Sequence, residues 1–130
     1  MKTCVTIIIC LIGIFAQGQI SDSEKDLSAI YGRSCGRAGI DPDLRVELEN
    51  LVRNEDVATL ILWLDNDLLS KRIYATEGLI RLHNSGIQLT QEQINRIKNI
   101  KQLDVKIWTC SGCEYWRDSV KSLLKDYTIK

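Results

Sequence analysis

The chain has 130 residues, and 17 lysines and arginines balance 17 aspartates and glutamates, so the formal net charge is 0. That balance supplies no field for nucleic acid or an anionic membrane surface. A 45% hydrophobic content with one proline excludes a disordered chain, and five cysteines are too sparse for a loop-rich disulfide scaffold.

Lys2 precedes an apolar run from Cys4 to Phe15, and Ala16-Gln17-Gly18 offers small residues at the −3 and −1 positions of a cleavage site. This is the pattern of a secretory signal peptide over residues 1–18. The run, about 12 residues, is shorter than the ~20 that a membrane-spanning helix needs, so no stable membrane insertion is expected once the leader is removed. A lipid anchor on Cys10 would want a small residue before it, where Ile9 stands. The expected location is therefore exported, periplasmic or extracellular, where thiols oxidise.

Residues 19–40 read as a polar arm followed by a glycine-rich loop, Tyr31 to Gly39, that carries Cys35. Residues 41–130 read as one α-helical domain. Asp41 and Pro42 predict the cap and first position of a helix bearing Leu44, Leu48, Leu51 and Val52. Asn54 is the expected cap of a second helix with the stripe Val57, Leu60, Ile61 and Leu64. After the turn Asp65-Asn66-Asp67, a third helix is predicted from Leu68 to Leu82, where small Ala75 and Gly78 leave room for a neighbour. Thr90-Gln91-Glu92-Gln93 is a capping box, flanked by Leu89 and Ile94 as a hydrophobic staple, and it opens a fourth helix with Ile97 and Ile100. Leu103 to Thr109 alternates, but a lone strand has no partner, so it reads as an extended connector. Ser111-Gly112-Cys113-Glu114 matches a second capping box, opening a last helix with Trp116, Val120, Leu123, Leu124 and Tyr127 on one face. The expected fold class is all-α: four to five short antiparallel helices, with the N-terminal loop stapled to the C-terminal helix.

Lys71 to Leu82 (KRIYATEGLIRL) resembles the second helix of a HEAT-like repeat, and Val57 to Leu64 resembles its partner, about residues 54–84 in all. The resemblance implies helical hairpins in the middle of the chain. The mature chain is also similar to small exported helical proteins of uncharacterised function that share a Cys-Gly-x-Ala-Gly loop and a late Thr-Cys-Ser-Gly-Cys, here Cys35 to Gly39 and Thr109 to Cys113. That similarity implies that the cysteines act as a unit and brings no activity with it.

Cys35, Cys110 and Cys113 are the only candidate disulfide or redox residues after the leader. A pairing of Cys35 with Cys110 or Cys113 would tie the two ends of the domain together, and Cys110 with Cys113 would close a small exchange-prone ring. Thioredoxin-type catalysis would want a sheet, a cis-proline opposite the motif and more chain after it. Pro42 lies far upstream of the pair, and 17 residues follow Cys113. Zinc held by the three cysteines and His83 would want a second compact pair, so no metal or cofactor is assigned. His83 reads as a helix-end residue, and Asp65 and Asp67 as turn caps. Arg33, Arg37 and Arg45 are offset by Asp41, Asp43 and Glu47, and Trp63, Trp108 and Trp116 read as core or groove aromatics. The expected role is a non-catalytic interaction or structural module with a protein partner. The alternative is a thiol–disulfide protein acting through Cys110 and Cys113.

Overall fold

A computed structural model describes residues 30–130. The leader read over 1–18 and the first part of the arm lie outside the described residues. The elements run β1 (Tyr31–Cys35), α1 (Asp43–Arg53), α2 (Val57–Trp63), α3 (Leu69–Asn84), α4 (Gln91–Lys101), β2 (Lys106–Gly112), β3 (Glu114–Ser119) and α5 (Val120–Leu123). The strands form one sheet in the order β1-β2-β3, with β1 parallel to β2 and β2 antiparallel to β3. The protein is therefore mixed α/β, which corrects the all-α expectation.

The helical half follows its sequence signals closely. Every residue of α3 from Ile73 to Ile80 is buried, as befits a helix wrapped by neighbours on all sides. A Cβ at Gly78 would lie 2.7 Å from Leu48 Cδ1 and 3.1 Å from Leu60 Cδ1, so α1 and α2 close onto α3 at the residue that allows it. The α4 capping box forms as expected: the Thr90 hydroxyl accepts from Gln93 N–H at 3.2 Å, and Thr90 N–H donates to the Gln93 side chain at 2.9 Å. Two caps move. Asp56, not Asn54, caps α2 by accepting from Thr59 N–H at 3.0 Å. Pro42 occupies the cap position of α1, and Asp41 turns the other way, to β1.

Three segments expected as loop, connector and helix are the three strands. Tyr31–Cys35, the first part of the expected glycine-rich loop, is extended because it borrows its hydrogen bonds from β2 and from helix side chains. Ser111 pairs directly with Glu114, so Gly112-Cys113 is a two-residue hairpin turn rather than a helix start. Gly112 is left-handed (φ 57°) at the first turn position, where such hairpins favour glycine. The chain leaves this turn as β3, and the last helix shrinks to α5. The N-terminal segment is thus fixed to a central strand, not to a C-terminal helix. Tyr31 joins the main core with Leu48, Tyr74, Leu79 and Ile97 on the helix side of the sheet. Ile30, Cys35 and Cys110, with Trp108 against them, form a second small cluster apart from it.

Candidate functional site

Cys35 and Cys110 are disulfide-bonded, their Cα atoms 5.5 Å apart across 75 residues of chain. The alignment depends on a bulge. Tyr31, Gly32 and Arg33 pair in step with Thr109, Cys110 and Ser111, and the register then shifts so that Cys35 pairs with Gly112. The extra residue is Ser34, in the left-handed region at φ 51°. It turns Cys35 onto the face shared by Gly32 and Cys110. Asp41 Oδ1 holds the bulge by accepting Ser34 N–H at 2.6 Å. A Cβ on Gly32 would collide with the Cys110 sulfur and come within 2.9 Å of the Cys35 sulfur, so the bridge rests directly on a bare backbone. Cys110 is 2% exposed and Cys35 5%. Cys113 stands alone and exposed in the hairpin turn. The late Cys-x-x-Cys is thus split: one member is bonded to the distant cysteine, and the other faces solvent.

The outward edge of β1 is closed by side chains. Gly32 N–H donates to the Tyr74 hydroxyl at 2.9 Å, that hydroxyl donates to Ile30 C=O at 2.7 Å, and Arg45 Nε donates to Gly32 C=O at 3.0 Å. Arg45 is 3% exposed in its side chain and lies over both tyrosine rings, 5.3 Å from the Tyr31 centroid and 4.7 Å from that of Tyr74. Its Nη1 meets Glu77 Oε1 at 2.5 Å, and the Tyr31 hydroxyl donates to Glu77 Oε2 at 2.8 Å. Arg81 then grips Glu49 through two bonds of 2.9 and 2.8 Å, and Arg33 reaches Glu49 at 3.2 Å. Three of these arginines, Arg33, Arg45 and Arg81, share two carboxylates.

The electrostatics follow from that sharing. The hydrogen bond from Arg81, aided by the surrounding guanidinium charges, pulls the Glu49 carboxyl down to about 2. Burial, reinforced by the Glu77 charge, lifts the Tyr31 hydroxyl far above its ordinary range, and burial pushes Tyr74 up to about 12. Burial opposes the charge on Arg45, but the bond and charge of Glu77 prevail and hold it more firmly protonated than usual. Nothing in the sequence singles out Arg45, Glu49, Glu77 or Arg81 as a group. A charged residue inside the apolar stripe of a predicted helix, as Glu77 is between Ala75 and Leu79, is the available signal.

The remaining candidates are dispersed. His83 ends α3 with Nδ1 3.0 Å from Ile87 C=O. Asp65 pairs with Arg96 at 2.6 Å instead of capping a helix, and Arg37 is exposed in the loop after β1. Trp63 is buried under Lys71, Trp108 is half-buried, and Trp116 is 39% exposed on β3. Among the described residues no three His, Cys, Asp or Glu side chains gather as a metal-binding group, and no helix is long and apolar enough to cross a membrane. A shallow open depression of about 330 Å³ lies beside the bridge, lined by Cys35, Arg37, Ile40 and Pro42 among others. No protein-family model, curated protein or solved structure matches the chain.

Proposed function

We propose that this chain is an exported, non-catalytic protein-interaction module. One observation carries the reading: Cys110, the buried member of the late pair, is committed to Cys35, where it ties β1 to β2. The charged side chains around β1 are likewise engaged with one another and with strand backbone, so they act as scaffold. What remains presented to solvent includes the aromatic side chains of β3, Tyr115 at 42% and Trp116 at 39% exposure. Exposed aromatics on a fastened frame suit recognition of a protein. The disulfide is consistent with an oxidising, exported environment.

A second reading has its own support. Cys113 is an exposed thiol three residues beyond a bonded cysteine. Attack of its thiolate on the Cys110 sulfur would form a Cys110–Cys113 disulfide and release Cys35 as the thiolate, as thiol–disulfide exchange requires. Native alkylation with mass mapping tests both. The module reading expects a label on Cys113 alone, with the Cys35–Cys110 peptide intact after incubation in a glutathione buffer. A label appearing on Cys35, with Cys110 joined to Cys113, would replace the module by the exchange-active protein.

A further inference from the structure

We propose that β3 pairs antiparallel with β3 of a second copy of this chain, about a two-fold axis through Trp116. This gives the interaction module a partner and rests on that reading. The two edges of the sheet are unlike. On β1, the outward backbone groups of Gly32 are occupied by Tyr74 and Arg45. On β3, alternation fixes which groups point outward. The two-residue turn makes Ser111 and Glu114 exchange backbone bonds, so Trp116 and Asp118 also face β2, while Tyr115 and Arg117 present N–H and C=O to the open edge. Ser119 N–H is taken by Asp118 Oδ1 at 2.8 Å. Among the described residues, the backbone groups of Tyr115 and Arg117 have no partner, and residues 114–117 are exposed. Two of the usual protections of an edge are missing here, since no proline or bulge interrupts β3; the Arg117 side chain folds back to Lys106 C=O at 3.2 Å, which leaves Glu114 and Asp118 as the charges on the strand.

The strand is complementary to itself in one register. With the axis at Trp116, Tyr115 of each copy opposes Arg117 of the other as a hydrogen-bonded pair, and these two pairs use every outward group of both residues. The same pairing places Tyr115 opposite Arg117 twice, with no like charges between these two positions. The two Trp116 side chains meet in the closer, non-hydrogen-bonded position. Moving the axis to Arg117 would oppose the two arginines, and moving it to Tyr115 would bring Arg117 against the turn. The chosen register has one mismatch, Glu114 against Asp118 at each end, and that mismatch is diagnostic. The product is a six-stranded sheet, β1-β2-β3 continued by its symmetry mate, whose two outer edges are both of the side-chain-capped kind. Strand addition of this length buries little surface, so the dimer belongs to the weak, concentration-dependent class.

The test is sedimentation equilibrium of the disulfide-intact protein from micromolar to millimolar concentration, in a Cys113→Ser background that removes thiol cross-linking. Dimerisation is expected, tightened roughly fivefold by Glu114→Gln, which removes two like-charge oppositions. Arg117→Pro deletes an outward N–H while leaving the bonds to β2, and should weaken the dimer by about tenfold or more. If that variant fails to fold, Trp116→Lys, which opposes two cations at the closest pair, gives the same answer. A Trp116→Cys variant should form a covalent dimer on oxidation, and a Ser111→Cys variant should not. A protein that stays monomeric throughout, or a dimer indifferent to Glu114, Trp116 and Arg117, overturns the proposal. A monomer whose Cys35–Cys110 bridge is inert leaves the module reading standing with a different partner, whereas thiol exchange in the mapping experiment removes that reading itself.

Discussion

Replacing Glu77 by Gln tests whether the buried charges organise the edge of β1. Glu77 is 0% exposed and its partner Arg45 is 3% exposed in its side chain, so neither can turn to water when the other is lost. The amide keeps the volume and one acceptor but leaves the Arg45 guanidinium without its closest anion. The nearest substitute, Glu49 at 3.6 Å, is already held by Arg81. Breaking a buried pair in this way costs about 3–5 kcal/mol. That is a large part of the ~5–15 kcal/mol that a domain this size possesses. In urea, with a slope of about 1–3 kcal/mol/M, the midpoint should fall by on the order of 2 M with the slope unchanged. The double variant Glu77→Leu with Arg45→Met removes both charges and should recover most of the loss. It should not recover all of it, because Gly32 C=O loses its Arg45 Nε donor at 3.0 Å and the buried Tyr31 hydroxyl loses its Glu77 acceptor at 2.8 Å. The residual deficit, about 1 kcal/mol for each of the two lost bonds, measures the edge cap and the Tyr31 anchor together. A Glu77→Gln variant within about 1 kcal/mol of the parent would refute the argument, since it would mean that the pair is solvated or dispensable.

Removing the bridge with Cys35→Ser and Cys110→Ser should cost about 4.5 kcal/mol by loop-closure entropy, read as a drop in urea midpoint under non-reducing conditions; a loss below about 1 kcal/mol would show that the helical core alone fixes β1. Gly32→Ala places a methyl against both sulfurs, so it should lower the yield of the Cys35–Cys110 disulfide on oxidative refolding; a bridge yield equal to the parent's would contradict the packing. Stability should also decline at both pH extremes. Glu49, at about 2 when folded against an ordinary 4.5, contributes fully above pH 4.5 and loses its contribution as pH falls toward 2, so Glu49→Gln should flatten the acid limb of a stability–pH curve. Tyr74, at about 12 against an ordinary 10, favours the fold below pH 10 and loses that contribution between pH 10 and 12, so Tyr74→Phe should flatten the alkaline limb after its own constant loss. Limbs that stay parallel to the parent's would discount these two groups.

Local rules are enough wherever an element is stabilised by its own sequence. The Thr90 box, the stripe around Ile97 and Ile100, and the small residue Gly78 all act within a helix or between adjacent helices, and all are legible. The sheet is not, because each strand takes its hydrogen bonds from residues far along the chain. Tyr31–Cys35 has three polar or flexible positions in a row, and only pairing with Thr109–Gly112 makes it extended. Lys106–Thr109 does alternate as a strand should, but no neighbouring segment advertises itself as its partner. Ser111 to Glu114 satisfies the letter of a capping box, yet a glycine that opens a two-residue turn between an alternating run and an aromatic one is equally a hairpin signal. The left-handed glycine decides between them. The disulfide site is legible as residues and not as connectivity, since the bulge at Ser34 that aims Cys35 has no local sequence mark.

The position of the bridge explains why both ends of the domain must be present for the sheet to exist. β1 pairs in parallel with β2 only after the four intervening helices have returned the chain, and parallel neighbours always require such a crossover. The helices also supply the groups that close β1 on its other side: Arg45 comes from α1, Tyr74 and Glu77 from α3. Before β1 docks, those helices would hold a charged pair and a phenol around an unfilled slot. Docking therefore satisfies two sides of one strand together: backbone to β2, and side chains of the helical core to Gly32 and Ile30. The disulfide, placed at the far end of β1 beside the bulge, keeps the strand from leaving the slot. Hydrogen exchange after Cys35→Ser and Cys110→Ser should accordingly rise first at the amides of Gly32 and Arg33, while those of α3 stay protected. Uniform loss of protection across β1 and α3 would instead place strand and helices in a single cooperative unit.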